Sequence, residues 1–315
     1  MRAVLGSMPD SVLDNVPPDP QVHPELEALA ELATGAPEAS GAAYDAIAQD
    51  VREFEARSGA SWPKALTALD AFDASVARHL GEDSIDRARV LSKLALRFLT
   101  GSEAHGLPVM LRPQRAILAR RLVSALTSSG LTEDRERSMR CVFLSVGAWL
   151  AAGAQDISMN AHVGLGSVLR GALKARSLEP VRRFFAEAAH GRCFGIHTDS
   201  DYTEEFNEEG WRRVYLAVAE LCERDPTVRG LVASSWFYDP SIVRVSPHLA
   251  YLQQEPLDGG AFRFEAGSAP IHVERATRTS KSRKALYDAG QYLPSAYTIV
   301  WPRSAIIDWS RRFSR

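Results

Sequence analysis

Three short stretches hold most of the side chains that could do chemistry. The first is Cys193-Phe-Gly-Ile-His197-Thr-Asp199. In a strand, positions i and i+2 face the same way, so His197 and Asp199 can address one ligand or one metal. Completed by a distant histidine, here His272, a His-x-Asp pair makes the 2-His-1-carboxylate set that binds Fe(II). Arg278 or Arg283 would then hold an acidic cosubstrate in bidentate fashion. The same His and Asp also read as a strand end that caps a turn. The second stretch is Ser234-Ser-Trp-Phe-Tyr238-Asp239-Pro240. As a strand it places Trp236 and Tyr238 on one face and Phe237 on the other. Large apolar bodies with polar tips suit the wall of a ligand site, and they suit a central strand packed on both sides equally well. No Gly-x-Ser-x-Gly elbow surrounds Ser234 or Ser235, so a nucleophilic serine is not indicated. The third stretch, Arg275 to Lys284, has five basic and four hydroxyl residues in ten positions and leads into a helix. Hydroxyls, backbone N–H groups and a helix N-terminus together attract phosphate or carboxylate, with Arg275, Arg278, Ser280 and Ser282 as candidate ligands.

The surrounding pattern divides the chain in three. Residues 1–22 carry Pro9, Pro17, Pro18 and Pro20 and read as an unstructured arm. Residues 23–190 read as an all-helical domain. Tyr44, Ile47, Val51 and Phe54 recur three and four apart and define one buried face. Asp83 and Ser84 offer a helix N-cap, and Thr132-Glu-Asp134 opens another helix with acids in its first turn. Cys141 to Ala154 reads as a buried core helix, and 157–175 and 179–189 as two more. Residues 191–315 change in character, with strands expected at 193–198, 228–238, 262–265, 271–279 and 297–301. Helices are expected at 204–224, where Trp211, Val214, Tyr215 and Val218 follow helical spacing, and at 282–289 and 305–312. The fold class expected is α+β, or α/β: a helical N-terminal bundle followed by a mixed-sheet layer with helices.

Residues 271–301 resemble part of the Gcn5-related N-acetyltransferases. The likeness rests on an expected strand, the basic turn, then Ala285-Leu-Tyr287-Asp-Ala-Gly290-Gln-Tyr292 and a strand at Tyr297–Trp301. That resemblance implies an acyl-CoA held by its pyrophosphate at the loop and helix N-terminus. The family's loop is glycine-containing, whereas Arg275-Ala-Thr-Arg278-Thr-Ser280 has no glycine to let backbone approach phosphate, and Arg278 would act through its side chain instead. His197, Asp199, His272 and an arginine resemble the 2-oxoglutarate oxygenase pattern, although that double-sheet fold uses roughly eight strands. Residues 191–309 also resemble uncharacterised bacterial proteins in their His-Thr…Glu-Phe-Asn-Glu-x-Gly-Trp and Ser-Trp-Phe-Tyr-Asp-Pro stretches.

Composition narrows the classes. With 315 residues, 45% hydrophobic and 24% charged, the chain can bury a full core without staples. A net charge of −2 gives no general attraction to nucleic acid or acidic membranes. The longest nearly apolar run is fourteen residues, Cys141 to Ala154, against roughly 20 for a membrane span. Three widely spaced cysteines and no leader pattern point to free thiols in the cytoplasm, and the Ala- and Arg-rich usage to a bacterial source. The expectation is an enzyme that transfers a group, an acyl group among the candidates, from an acidic donor to a small molecule. Arg275, Arg278, Ser280 and Ser282 would hold the donor; Tyr238, Asp239 and His197 would meet the acceptor, with His197 or Asp239 as general base. The Fe(II) oxygenase is a second expectation. A non-catalytic protein whose helical half forms a partner surface, or joins two copies of the chain, is a third.

Overall fold

The computed structural model describes residues 23–58, 62–81, 86–101, 107–127, 134–187, 190–198, 202 and 204–313. The arm at 1–22, the proposed cap at Asp83 and Ser84, and Asp199 lie outside them. The protein is α+β, with contacts that divide the chain into two compact units between Asn160 and Ala161.

The first unit is built from α1 (His23–Leu32), α2 (Gly41–Ser58), α3 (Trp62–Ala65), α4 (Ala68–Leu80), α5 (Arg87–Thr100), a 3-10 turn at Val109–Gln114, α6 (Arg115–Thr127) and α7 (Arg135–Ser145). Tyr44, Ile47 and Val51 form the buried face of α2, as their spacing requires. Asp86 caps α5, accepting from the Arg89 amide, and Asp134 caps α7, accepting from Glu136 and Arg137. Phe143 packs against Phe54 and Trp149, with ring centroids 6.4 and 5.3 Å apart.

The all-helical reading of 23–190 fails at two places, the run 141–154 and the start of the helix expected at 157–175, which begins only at Leu165. The run Cys141–Ala154 is not one helix: α7 stops at Ser145, and Gly147 turns the chain at φ 66 with the Phe98 ring packed where a Cβ would stand. A strand follows, β1 (Trp149–Ala152), then a two-residue turn and β2 (Gln155–His162). Gly153 opens that turn at φ 59, the left-handed position that a type II′ hairpin turn gives to glycine. Both faces of β1 and most of β2 are buried, so the hairpin shows none of the apolar–polar alternation that marks a half-exposed strand.

The second unit continues with α8 (Leu165–Ala175), α9 (Glu179–Ala186), β3 (Arg192–Thr198), α10 (Glu208–Arg224), β4 (Gly230–Ser235), α11 (Ile242–Val245), α12 (Tyr251–Asp258), β5 (Phe262–Gly267), α13 (Pro270–Thr277), α14 (Lys281–Asp288), β6 (Ala296–Pro302) and α15 (Arg303–Ser310). The strands β3-β4-β6-β5 form a mixed sheet: β3 runs parallel to β4, and β6 runs antiparallel to both β4 and β5. Helix α10 is the crossover that parallel β3 and β4 need. On one side of the core, Val168, Phe184, Phe262 and Phe264 pack with Cys193 and Val300. Elsewhere Trp211, Tyr215, Trp301 and Trp309 form an edge-on aromatic chain, with Trp301 5.3 Å from Tyr215 and 5.0 Å from Trp309. Much of the aromatic richness after residue 193 is therefore core.

Two expectations are corrected here. Residues 271–279 form no strand: Pro270 opens α13 at its first turn, where the missing N–H goes unneeded. The expected strand at 228–238 ends at Ser235, and Trp236–Tyr238 form a 3-10 turn, so Trp236 and Tyr238 do not share a strand face. The helices expected at 204–224, 282–289 and 305–312 form at Glu208–Arg224, Lys281–Asp288 and Arg303–Ser310, whereas α11 and α12 have no expected counterpart. Asn207 caps α10 through the Gly210 amide, and Ser280 caps α14 through the Arg283 amide.

Candidate functional site

The parallel strands β3 and β4 set one edge of the sheet. Phe194 lies opposite Leu231 and Gly195 opposite Val232; continuing that register places His197 level with Ser234. At this edge β4 meets the start of β6, Ser234 opposite Thr298 and Ser235 opposite Tyr297, with the two hydroxyls of Ser234 and Thr298 2.7 Å apart. Beyond Ser235 the chain cannot extend the ladder, because Pro240 lies ahead and the backbone coils into the 236–238 turn. In open sheets the space beyond the carboxyl ends of parallel strands is where ligands bind.

Asp239 is buried just past that turn. Its Oδ1 accepts from the Ser241 amide at 2.8 Å and its Oδ2 from the Ser295 amide at 3.2 Å. The Gln253 side-chain amide donates to the carbonyl of Asp239 at 3.0 Å and to that of Phe237 at 3.3 Å, and the Gln253 carbonyl oxygen accepts from Arg263 on β5. Burial of Arg263 lowers its pKa, while Tyr297 and Asp239 act in the opposite sense. Arg263 forms no ion pair among the described residues.

Arg283, in the first turn of α14, is more deeply enclosed, with 6% of its surface exposed. Its Nε donates to the Ala276 carbonyl at 2.6 Å and its Nη1 to the Ser246 hydroxyl at 3.1 Å, and its guanidinium lies 4.5 Å from the Trp236 ring centre. Burial lowers its pKa, opposed only by Tyr292. Tyr292 is 4% exposed, and its hydroxyl has no hydrogen-bond partner. Burial raises the Tyr292 pKa, Asp239 adds to that rise and Arg283 opposes it.

The candidates named from the sequence fall in different surroundings. His197 is half-buried at the end of β3. Tyr238 is enclosed in the core, where it shares a hydrogen bond with Tyr215 and burial raises its pKa well above the usual range. Asp239 reaches the sheet edge, with both oxygens engaged by backbone. His272 is half-buried on α13, its pKa lowered by burial and by neighbouring Arg275. Arg275 and Arg278 are exposed, Arg278 3.9 Å from Glu274 one turn back. Ser280 serves as the α14 cap and lies 3.1 Å from the Ser282 hydroxyl, which is exposed. Asp199 lies outside the described residues, and among the described residues no three His, Cys, Asp or Glu side chains come together as a metal site. Of the basic stretch, Arg283 is the member that the fold encloses. The pattern did not single out Arg263, Gln253 and Tyr292; a charged residue between two core phenylalanines, Phe262 and Phe264, was the signal at Arg263.

Cys141, Cys193 and Cys222 are all buried and unpaired, and burial pushes each thiol up to about 12. Arg192 only partly offsets that for Cys193, and its guanidinium is committed to Asp225 and Thr227. No helix among the described residues is long and apolar enough to cross a membrane. Comparison with known proteins returns no match, whether to a family model, a curated protein or a solved structure.

Proposed function

We propose that the protein is an enzyme that transfers a group from an acidic donor to a small molecule, at the sheet edge formed by the ends of β3 and β4. The observation that supports this reading is the gathering of polar side chains at that edge. His197, Ser234 and Thr298 share one face of the sheet there, and Asp239 follows the turn that ends β4. In the reaction envisaged, an acceptor N–H or O–H attacks the transferable carbonyl of an acyl donor. The bond from the acceptor heteroatom to the acyl carbon forms, and the bond from that carbon to the leaving group breaks. His197 takes the acceptor's proton as general base and passes it to the leaving group as general acid. Holding both partners together would supply much of the rate. An acyl-CoA is one donor of this kind, its phosphates meeting arginine side chains.

The test is a donor panel of acetyl-CoA, longer acyl-CoAs and acyl phosphates, incubated with mixed amine and hydroxyl acceptors and read by mass spectrometry. The expected result is an acceptor gaining the acyl mass with wild-type protein, and a loss of about a hundredfold or more in that rate for His197→Ala. No transfer from any donor, or full transfer by the variant, contradicts the reading.

A further inference from the structure

We infer that the enclosed arginine of α14 marks an anion subsite, in which Arg283 and the Tyr292 hydroxyl receive a carboxylate or phosphate group of the ligand. This rests on the sheet-edge site just proposed and names the chemistry of what enters it.

Two independent observations carry it. The first is a buried cation with no ion pair. Taking a guanidinium out of water is unfavourable unless a carboxylate or a full set of acceptors replaces the lost hydration. Arg283 has a carbonyl and a serine hydroxyl, which bind Nε and Nη1. No bond of its Nη2 is found among the described residues. No ion pair joins Arg283 to Asp239, both of whose oxygens accept backbone N–H groups, from Ser241 and Ser295. The second is the Tyr292 hydroxyl, enclosed with no partner although buried hydroxyls are ordinarily bonded. A donor left open and a cation left unneutralised, each of which shifts the other's titration, are together complementary to an oxyanion. Trp236 fixes the plane of the guanidinium from one side, and Ser246 and the Ala276 carbonyl fix it at Nε and Nη1, so that Nη2 is held in advance of binding. Preorganised planar donors of this kind match carboxylate and phosphate oxygens.

The exposed arginines of the same basic stretch lack these features. Arg278 is open to solvent and faces Glu274. The subsite thus selects one arginine out of five basic residues, and it does so by burial.

The experiment is titration of the intact protein with inorganic phosphate in one arm and acetate in the other, followed by calorimetry, with sodium chloride matching the ionic strength. Wild type is expected to bind at least one of the two saturably. Arg283→Gln is expected to weaken that binding at least about tenfold, the size of one lost hydrogen bond to a charged group. Arg283→Lys is expected to retain part of it, and Arg278→Gln all of it. The phosphate and acetate arms distinguish a phosphorylated ligand from a carboxylic one. Should Arg283→Gln lose its far-ultraviolet dichroism, Tyr292→Phe decides: it removes a hydroxyl that holds nothing else and is also expected to weaken binding about tenfold. Neither anion binding, or binding unchanged in both Arg283→Gln and Tyr292→Phe, or an equal loss in Arg278→Gln, overturns the inference. Anion binding that depends on Arg283 with no transfer from any donor would leave the subsite standing and remove the transferase reading. Transfer with anion binding indifferent to Arg283 would do the reverse.

Discussion

Asp156 in the first unit and Arg283 in the second are both charges withdrawn from water, and the fold treats them in opposite ways. Asp156, 0% exposed on β2, receives Arg121 through one oxygen at 3.0 Å and Arg140 through the other, and Arg140 reaches on to Glu136 at 3.1 Å. In the same unit, the carboxylate of buried Glu55 accepts the Trp149 indole N–H at 3.2 Å and the Asn160 amide at 2.6 Å. These carboxylates meet partners from helix and strand and pin the hairpin against its own unit. Arg283 has an aromatic ring and two neutral acceptors, and the Tyr292 hydroxyl of the same unit has no partner at all. A closed network of charges holds a fold together. An open one, retained at the carboxyl edge of a sheet, is an arrangement that a ligand completes.

The largest effect that this contrast predicts is at Asp156. Asp156→Asn removes the buried carboxylate charge that Arg121 and Arg140 both meet and is expected to cost about 3–5 kcal/mol, the range for breaking one side of a buried ion pair. Urea unfolding measures it; a cost below about 1 kcal/mol would mean that the network is not what closes the first unit.

A smaller effect lies in the second unit, at a paired acid. Asp225 accepts from Arg192 and from the Thr227 amide and hydroxyl, at 2.9 and 2.6 Å for the latter two. Burial alone would raise its pKa, but these bonds together lower it. Because the folded value lies below the unfolded one of about 3.9, its contribution is fully present above that pH and is lost as pH falls through the folded value. Asp225→Asn is therefore expected to remove about 1.5–3 kcal/mol at pH 7 and to flatten the acid limb of stability. Unfolding midpoints measured between about pH 2 and 6 check it. An unchanged acid limb would show that Asp225 carries no such linkage.

How far these arrangements could be read from the chain differs between their parts. Apolar faces were readable because they are local: Tyr44, Ile47 and Val51 follow the helical repeat. The caps were not singled out, although Asp134, Asn207 and Ser280 act through amides only two or three residues on. The β1–β2 hairpin was hidden because its strands are covered on both faces and look like any apolar run; Gly147 and Gly153 were the only local breaks. Alternating Ile271 and Val273 imitated a strand, although Pro270 marked a helix start. At the site, the basic stretch was visible as composition. Which arginine is enclosed depends on contacts with Trp236, Ser246 and Ala276, two of them distant in sequence, so spacing favoured Arg278 where the fold encloses Arg283. Tyr292 had no pattern to mark it, because an unpaired hydroxyl is a property of its surroundings.

The contrast between closed and open networks is tested most directly by one substitution made at two tyrosines. The Tyr44 hydroxyl donates to the Pro37 carbonyl at 2.8 Å, whereas that of Tyr292 has no partner. Urea unfolding of Tyr44→Phe and Tyr292→Phe, each with and without saturating phosphate or acetate, compares them on one scale. The expected result is a loss of about 1 kcal/mol for Tyr44→Phe and no loss, or a gain of up to about 1 kcal/mol, for Tyr292→Phe. The anion is expected to stabilise wild type and Tyr44→Phe alike and Tyr292→Phe less. Equal losses at both tyrosines in the absence of anion, with the same anion stabilisation in all three proteins, would contradict it.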